Sequence, residues 1–372
     1  MKSKSSRKQM DLPLLIITLV LVALGLIAVL SASAPFALNM YDDSYYFFNK
    51  QFLFAIAGVV IMFVISLIDY KKYKKVATLG LIIGILLILA VFIPGLGVTR
   101  NDATRWLDIG IIKQFQPSEL TKIALIVFLA GILSQPKYGE LIKNRFWFFL
   151  ALLGIVAVIG GILLFQPHMS AAIIIAIIAL AIMFAAGLKF RYILALVPVA
   201  AAGIGALIIS APYRLDRLKY WLDPWLDLQG DGWQLAQSLM AVGSGGIFGS
   251  GIGQSVQKYM YLPEQYNDFI FAVWCEECGL IGAVLLIALL IAFIYRGIVI
   301  ASTCKDKFGS YIAIGITTMI GIQALFNIAV VTGTIPVTGM SLPFFSYGGS
   351  SLLVLLASTG ILLNISRNCE RS

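Results

Sequence analysis

Long, uninterrupted apolar runs constrain this chain more than any other feature of its sequence. A helix needs about 20 apolar residues to cross a hydrocarbon core of about 30 Å, and unpaired backbone groups cannot face lipid. Charged residues make up only 12% of the sequence, against roughly 25% in soluble domains. The 372 residues are therefore predicted to form one all-α integral membrane domain with ten transmembrane helices. The runs cover residues 12–34, 51–68, 76–94, 117–133, 146–165, 169–187, 190–210, 269–294, 309–333 and 348–365.

Lysine and arginine residues are concentrated in alternate connections between these runs. The N-terminal residues 2–8, the connection at 71–75 and the stretch at 296–307 are the most basic examples. Because basic loops stay on the cytoplasmic side, both termini are predicted to be cytoplasmic. The net charge of +9 is attributed to these basic cytoplasmic connections, which would contact anionic lipid head groups. No nucleic-acid partner is therefore predicted.

Three longer connections fall on the opposite, extracytoplasmic side, where ordered loops tend to carry function. They are residues 95–116, about 211–268 between helices 7 and 8, and 334–347. The glycine-rich stretch 243–253 lacks a nucleotide-binding pattern, but its backbone N–H groups are predicted to be able to meet a pyrophosphate.

Cysteine and histidine give little indication of a metal or redox site. Four cysteines are too few and too scattered for a disulfide framework. Cys275 and Cys278 form a C-x-x-C pattern inside a predicted helix, where small apolar side chains are the simplest interpretation. His168 is the single histidine, which excludes a site built from several histidines.

Carboxylates near the membrane are costly and therefore indicate function. Asp268 is predicted to begin the eighth span after Pro263 starts its helix, which places Glu264 one turn earlier on the same face. A carboxylate against an apolar wall is a better general base near neutrality. An anchor at the outer helix end, or a partner for a nearby arginine, explains the same residues equally well.

Cations accompany these acids on the outer side. Glu119 and Lys122 lie one turn apart in the fourth span and are expected either to pair structurally or to act on a ligand. Arg105 can form a phosphate fork, and Trp106 is either an interface anchor or a sugar platform. Acids and cations together suit sugar transfer from a lipid-linked donor, and a proton-coupled transporter would also use buried acids.

Three longer strings carry a resemblance to a known family. They are "ATRWLDIG…FQPSELTK" (103–122), "GSGGIFGSGIGQSVQKYMYLPEQYNDFIFAVWCEECGLIG" (243–282) and "PVTGMSLPFFSYGGSSLL" (336–353). The chain resembles the SEDS family (shape, elongation, division and sporulation), and "SVQKYMYLPE" and "LLNISR" are more similar to its FtsW and SpoVE branch than to RodA. The resemblance implies a plasma-membrane glycosyltransferase that polymerises lipid II into glycan strands on the outer leaflet, during division or spore-wall synthesis.

The resemblance also implies roles for individual residues. Asp268 matches the essential acid of the family and would act as general base on the sugar 4-hydroxyl of the acceptor, with inversion at the donor. Cations that would stabilise the departing pyrophosphate are Arg105, Lys122 and Lys258. Residues that would orient these groups or line the substrate are Glu264, Glu119, Trp106, Ser346, Gly348 and Gly349.

Some implications of the resemblance stay open at this point. A divalent cation, Mg²⁺ or Mn²⁺, would suit the pyrophosphate, although no ligand cluster indicates one. His168 stands where many relatives have an acid after "QP", so no catalytic role is assigned to it. The implied partners are a class B penicillin-binding protein and other division or sporulation proteins. The alternatives are a lipid II flippase and a non-catalytic scaffold for a transpeptidase.

Overall fold

The computed structural model describes residues 10–100, 103–108, 110, 115–209, 212–228, 230 and 232–369. We call the end of the bundle that carries the basic turn at Lys305 and Lys307 the inner end, and the opposite end the outer end. The helices are α1 Leu12–Tyr41, α2 Tyr46–Leu67, α3 Tyr73–Ala90, α4 Pro117–Leu133, α5 Pro136–Asn144, α6 Phe146–Phe165, α7 Met169–Ala185, α8 Phe190–Ile209, α9 Pro212–Leu222, α10 Trp233–Ser244, α11 Ile270–Thr303, α12 Lys307–Val331 and α13 Gly349–Asn368.

Local sequence explains where several of these helices begin. The Asp11 side chain accepts a hydrogen bond from the Leu14 backbone N–H and caps α1, and Asp306 caps α12 in the same way. Proline occupies the first position of α4 and α5, where its missing N–H has no partner to lose.

Each of the ten predicted runs coincides with a helix, but fewer helices meet the length and composition of a membrane span. In the described part of the chain, seven do so, or eight if α4 and α5, bent by 93°, form one broken span. The apolar helix α7 has only 17 residues. The bundle is built from close helix pairs: α2 packs along α13, α11 along α12, α3 along α4, and α7 between α6 and α12.

The structure departs from the sequence-based expectations at three places. The first outer connection contains an antiparallel hairpin, β1 Gly97–Arg100 and β2 Ala103–Leu107, so the chain is not entirely helical. Helix α11 is broken at Gly279, whose φ is 64°. Cys304 and Cys369 form a disulfide that joins the inner ends of α11 and α13, although the scattered cysteines predicted no such pairing.

Candidate active site

Asp268 lies at the outer end of the bundle, just before α11 begins. It is half-buried in a run of turns. Its backbone oxygen accepts a hydrogen bond of 2.7 Å from the Asn327 side chain on α12, and the same amide group donates to the Met340 carbonyl at 2.6 Å. Asn327 therefore holds the Asp268 segment against the connection between α12 and α13.

The predicted helix from Pro263 to Asp268 is wrong. Residues 261–269 form turns, and Glu264 has a left-handed backbone with φ of 52°. Its backbone oxygen accepts from Asn267 N at 3.0 Å, and its carboxylate accepts from the Asn267 side chain. Glu264 thus does not share a helical face with Asp268, and it shapes the turn that presents Asp268.

Arg105 reaches the same region from the hairpin. On β2, alternate side chains point to opposite faces, and the buried Ala103 and Leu107 mark the face that packs on the protein. Arg105 shares this face. Its guanidinium donates to the backbone carbonyls of Gln166 and Pro167 at the end of α6. These carbonyls fix the direction of the arginine fork.

Asp268 and Arg105 converge beside Gly339. A Cβ atom placed on Gly339 would lie 3.5 Å from Asp268 Oδ2 and 4.0 Å from Arg105 Nη1. Gly339 has φ of 66°, a conformation that favours glycine. The absent side chain and the left-handed backbone leave a carboxylate and a guanidinium facing one small volume.

Lys122 and Glu119 form a buried ion pair on α4 near this volume. Their N–O distance is 2.7 Å, and the side chains are 1% and 7% exposed. The second carboxylate oxygen of Glu119 is buried without a hydrogen-bond partner. The ion pair that their spacing suggested is present, and it leaves one carboxylate oxygen of Glu119 available as a hydrogen-bond acceptor.

His168 lies within electrostatic reach of both cations of the site. It is buried and precedes α7, outside the apolar runs. Burial and the positive charges of Arg105 and Lys122 hold the pKa of His168 well below its ordinary value. Burial is the larger cause, and the contribution of Arg105 and Lys122 shows that both cations lie close enough to act on this position.

Several buried polar atoms around these residues have no hydrogen-bond partner within the described parts of the chain. Such atoms are rare in folded proteins and often mark a site for a polar ligand or water. Those closest in sequence to the site residues are Ser118 Oγ, Glu119 Oε2, His168 Nδ1, Gln323 Oε1, Asn327 Oδ1 and Thr338 Oγ1.

Lys258 occupies a different cluster. Its ammonium group lies 2.8 Å from Glu277 Oε1 and 3.0 Å from Ser31 Oγ, and the residue is 3% exposed. Ser31 also donates to both carboxylate oxygens of Glu277. The structure therefore gives Lys258 a carboxylate partner rather than an open face toward a substrate.

The other predicted substrate residues lie on the hairpin and at the start of α13. Trp106 lies on the opposite face of β2 from Arg105. Ser346 Oγ accepts from Leu342 N at 2.7 Å, and Gln51 on α2 contacts both the Ser346 carbonyl and the Gly348 N–H. A Cβ atom on Gly349 would collide with the Phe54 ring. These contacts hold the start of α13 against α2.

Two further expectations concern pyrophosphate and metal. The backbone N–H groups of Gly249, Ser250 and Gly251 donate to Gly245, Glu276 and Glu277 carbonyls, so the glycine-rich stretch does not present them to a pyrophosphate. The described residues contain no group of three His, Cys, Asp or Glu side chains that could hold a metal ion.

Sequence reasoning missed Asn327, Gly339 and the position of His168. Asn327 is a fully buried amide inside an otherwise apolar helix, and the rule that polar groups in a membrane span are functional would have selected it. Gly339 carries no such signal, because its importance depends on the two side chains that meet beside it.

Comparison with known proteins agrees with this architecture. A family model for FtsW, RodA and SpoVE, described as a cell cycle protein, matches residues 12–371. Stage V sporulation protein E of Bacillus subtilis (strain 168) is 45% identical over 357 residues, covering 96% of this chain and 97% of that protein. A probable peptidoglycan glycosyltransferase FtsW of Geobacter sp. (strain M18) is 40% identical, covering 96% of both chains.

Solved structures show the same relationship. A chain of the complex described as "Structural coordination of polymerization and crosslinking by a peptidoglycan synthase complex" has a TM-score of 0.79 at 26% identity, covering 96% of this chain and 98% of that one. The rod shape determining protein RodA of Thermus thermophilus has a TM-score of 0.71 at 26% identity, covering 98% of both. The chain belongs to the SEDS family, and within it to the FtsW and SpoVE branch.

Proposed function

We propose that this protein is a peptidoglycan glycosyltransferase that polymerises lipid II into glycan strands on the outer face of the bacterial plasma membrane. The names of its relatives, which include peptidoglycan glycosyltransferase FtsW, support the activity. The proposal includes ten membrane crossings, cytoplasmic termini and a long extracytoplasmic segment between the seventh and eighth crossings. Division and spore-wall synthesis are the two settings that the relatives indicate.

The convergence of Asp268 and Arg105 beside Gly339 carries this proposal. Sugar transfer from a lipid diphosphate needs a base at the attacking hydroxyl and positive charge at the leaving group. One point beside Gly339 lies 3.5 Å from a carboxylate oxygen and 4.0 Å from a guanidinium nitrogen. These two groups thus supply both requirements within the length of a single sugar.

In the proposed reaction, Asp268 accepts the proton of the acceptor sugar 4-hydroxyl. The hydroxyl oxygen bonds to the anomeric carbon of the donor strand, and the bond from that carbon to the diphosphate oxygen breaks. Attack opposite to the leaving group inverts the anomeric centre. The electron pair leaves with the lipid diphosphate, which Arg105 and Lys122 stabilise.

The remaining residues orient these groups. Glu119 holds Lys122 at 2.7 Å, and Glu264 shapes the turn before Asp268. Gln166 and Pro167 direct Arg105 through their carbonyls. The partner that we propose is a class B penicillin-binding protein, because one structural neighbour comes from a complex that coordinates polymerization and crosslinking.

Glycan formation from purified lipid II tests the proposal with the wild type and Asp268→Asn. Each is assayed with and without a cognate transpeptidase whose crosslinking is blocked. We expect polymer from the wild type and none from Asp268→Asn, because the amide cannot accept the hydroxyl proton. Asp43→Asn is the matched control, since Asp43 is an exposed acid in the turn between α1 and α2.

Each other outcome has a distinct meaning. Equal polymer from the wild type and Asp268→Asn would show that Asp268 is not the base. Absence of polymer from both proteins, even with the transpeptidase, would favour a flippase, which lipid II transport in liposomes then tests. A scaffold would tolerate the loss of Asp268 in cells.

A further inference from the structure

The segment between α10 and α11 has an irregular backbone but is firmly attached to the broken turn of α11. At Gly279, α11 loses its own hydrogen bonds, and the segment replaces them. The exchanged backbone bonds run from Ser250 N to Glu276 O (2.9 Å), Gly251 N to Glu277 O (2.9 Å), Leu280 N to Gly246 O (2.9 Å) and Ile281 N to Ile247 O (3.3 Å).

The side chains of Glu276 and Glu277 satisfy further polar groups of this segment. Glu276 accepts from Val256 N at 2.8 Å and from Ser255 Oγ. Glu277 accepts from Lys258 Nζ at 2.8 Å. Both carboxylates are almost fully buried. These bonds satisfy several of the polar groups that an irregular backbone would otherwise leave unpaired at membrane depth.

Helix lengths place this attachment at the outer edge of the hydrocarbon core. From Gly279 to the end of α11 at Thr303, 24 residues rise about 36 Å at 1.5 Å each. Ser31, which contacts Glu277, lies 19 residues beyond the start of α1, or about 29 Å. The hydrocarbon core is about 30 Å thick, so the two helices place the attachment at, or a few ångströms beyond, the outer edge of that core.

The outward side of the segment is uncharged and mainly apolar, with Ser250 and Gln254 as its exposed polar side chains. Phe248 is 81% exposed, Ile252 60% and Val256 62%. Lys258 carries the one formal charge between residues 243 and 262, and it is turned inward to Glu277. The Ile281 backbone N–H donates a hydrogen bond to the Ile247 carbonyl. Ile281 belongs to the exposed apolar face of α11, together with Leu280, Val284 and Leu285.

We propose that residues 247–256 insert into the outer leaflet and that Phe248, Ile252 and Val256 contact the acyl chains of bilayer lipids. Three observations select lipid over water or a protein partner: the height of the segment, its uncharged exposed side, and its continuity with the exposed face of a membrane span. A surface of this kind in water would be an exposed hydrophobic patch. The lipid contact does not depend on the proposed enzymatic activity.

Depth-dependent quenching in nanodiscs tests the insertion. The full chain with Cys278→Ser, which removes the half-exposed free thiol, receives Phe248→Cys or Ile252→Cys and an environment-sensitive fluorophore. Leu285→Cys on α11 is the lipid-facing control, and Asp43→Cys is the aqueous control. The parent chain without an engineered cysteine measures background labelling.

We expect labels at 248 and 252 to be quenched by nitroxides on lipid acyl chains, with a preference for nitroxides near the head group. Quenching by iodide should be several-fold weaker than at position 43. Labels that behave like the one at position 43 would overturn the proposal, because the segment would then lie in water. Labels shielded from both quenchers would also overturn it, because protein would then cover the segment.

Discussion

Two lysine–glutamate pairs are buried at the outer end of this bundle, and they differ in how completely they are satisfied. Lys258 and Glu277 belong to a closed network in which Ser31 and Ser255 also donate to Glu277. Lys122 and Glu119 share a single contact, and one oxygen of Glu119 has no partner. A closed pair stabilises a structure, whereas an open pair retains capacity to bind a ligand.

The surroundings of the two pairs differ in charge. Glu276 adds a second carboxylate beside Glu277, so the Lys258 pair is locally acidic. Arg105 adds a second cation near Lys122, and both act on His168. The Lys122 pair thus has a cation among its neighbours that can face an anionic leaving group, with the Asp268 carboxylate beside it, whereas the Lys258 pair has a further carboxylate. Buried position alone therefore does not indicate a catalytic lysine.

The largest expected effect is the loss of stability on breaking the closed pair. Lys258→Met leaves Glu277 as an unpaired buried carboxylate, which should lower the free energy of unfolding by about 3–5 kcal/mol. The double variant Lys258→Met/Glu277→Gln should recover most of this loss, because the buried charge is gone. Thermal unfolding in detergent measures both. A double variant no more stable than the single one would contradict the closed-pair interpretation.

Activity should separate the two neutral double variants. Lys122→Met/Glu119→Gln removes positive charge from the leaving group and should lower the rate of glycan formation by about 10²–10³-fold. Lys258→Met/Glu277→Gln should stay within a few-fold of the wild type, because neither residue touches the substrate in our proposal. The lipid II assay compares them at matched folded protein. Equal losses in the two variants would remove the distinction between open and closed pairs.

A smaller effect should follow from filling the space beside Gly339. Gly339→Ala places a methyl group 3.5 Å from Asp268 Oδ2, which should displace substrate and lower activity about tenfold or more. Alanine in the left-handed conformation of this position also adds a strain of about 1–2 kcal/mol. Gly333→Ala is the control for strain, because Gly333 has φ of 69° and the nearest neighbours of an added Cβ atom would be the side chains of Leu239 and Leu235. Similar activity in both variants would mean that strain alone explains the loss.

The sequence predicted these sites unevenly, for physical reasons. Apolar runs identify helices because span length and composition are local properties, and Asp268 and Arg105 stand out as charges close to such runs. The turn at Glu264 was missed because Pro263 suggested the start of a helix. The actual conformation of this segment is accompanied by contacts with Asn327 and Tyr347, which belong to elements distant in the sequence.

Long-range pairings explain the remaining differences. Lys258 meets Glu277 only because α11 breaks at Gly279 and the preceding segment folds back on it. Cys304 and Cys369 are 65 residues apart, and no local pattern announces their contact. The spacing of residues along the chain predicts neither of these contacts. From the sequence alone, a pyrophosphate and a carboxylate are therefore equally good partners for Lys258.

The smallest effect concerns pH and tests whether His168 stays neutral in the folded protein. The unfolded chain takes up a proton near the ordinary histidine pKa of about 6.5. The folded protein resists protonation, because burial, Arg105 and Lys122 hold the pKa of His168 well below that value. His168 should therefore not reduce the free energy of unfolding above pH 6.5. Below that pH, the free energy of unfolding should fall by at most about 1.4 kcal/mol per pH unit. His168→Gln should lose this slope in thermal unfolding between pH 8 and 5.

Inorganic pyrophosphate sharpens the same measurement. An anion bound between Arg105 and Lys122 would offset their charge and raise the pKa of His168 toward its ordinary value. The fall in stability below pH 6.5 should then be shallower with pyrophosphate than without it, in the wild type but not in His168→Gln. Lys258→Met/Glu277→Gln should respond as the wild type does, because its cluster lies outside the anion site. A wild-type slope indifferent to pyrophosphate would mean that burial, rather than the two cations, keeps His168 neutral.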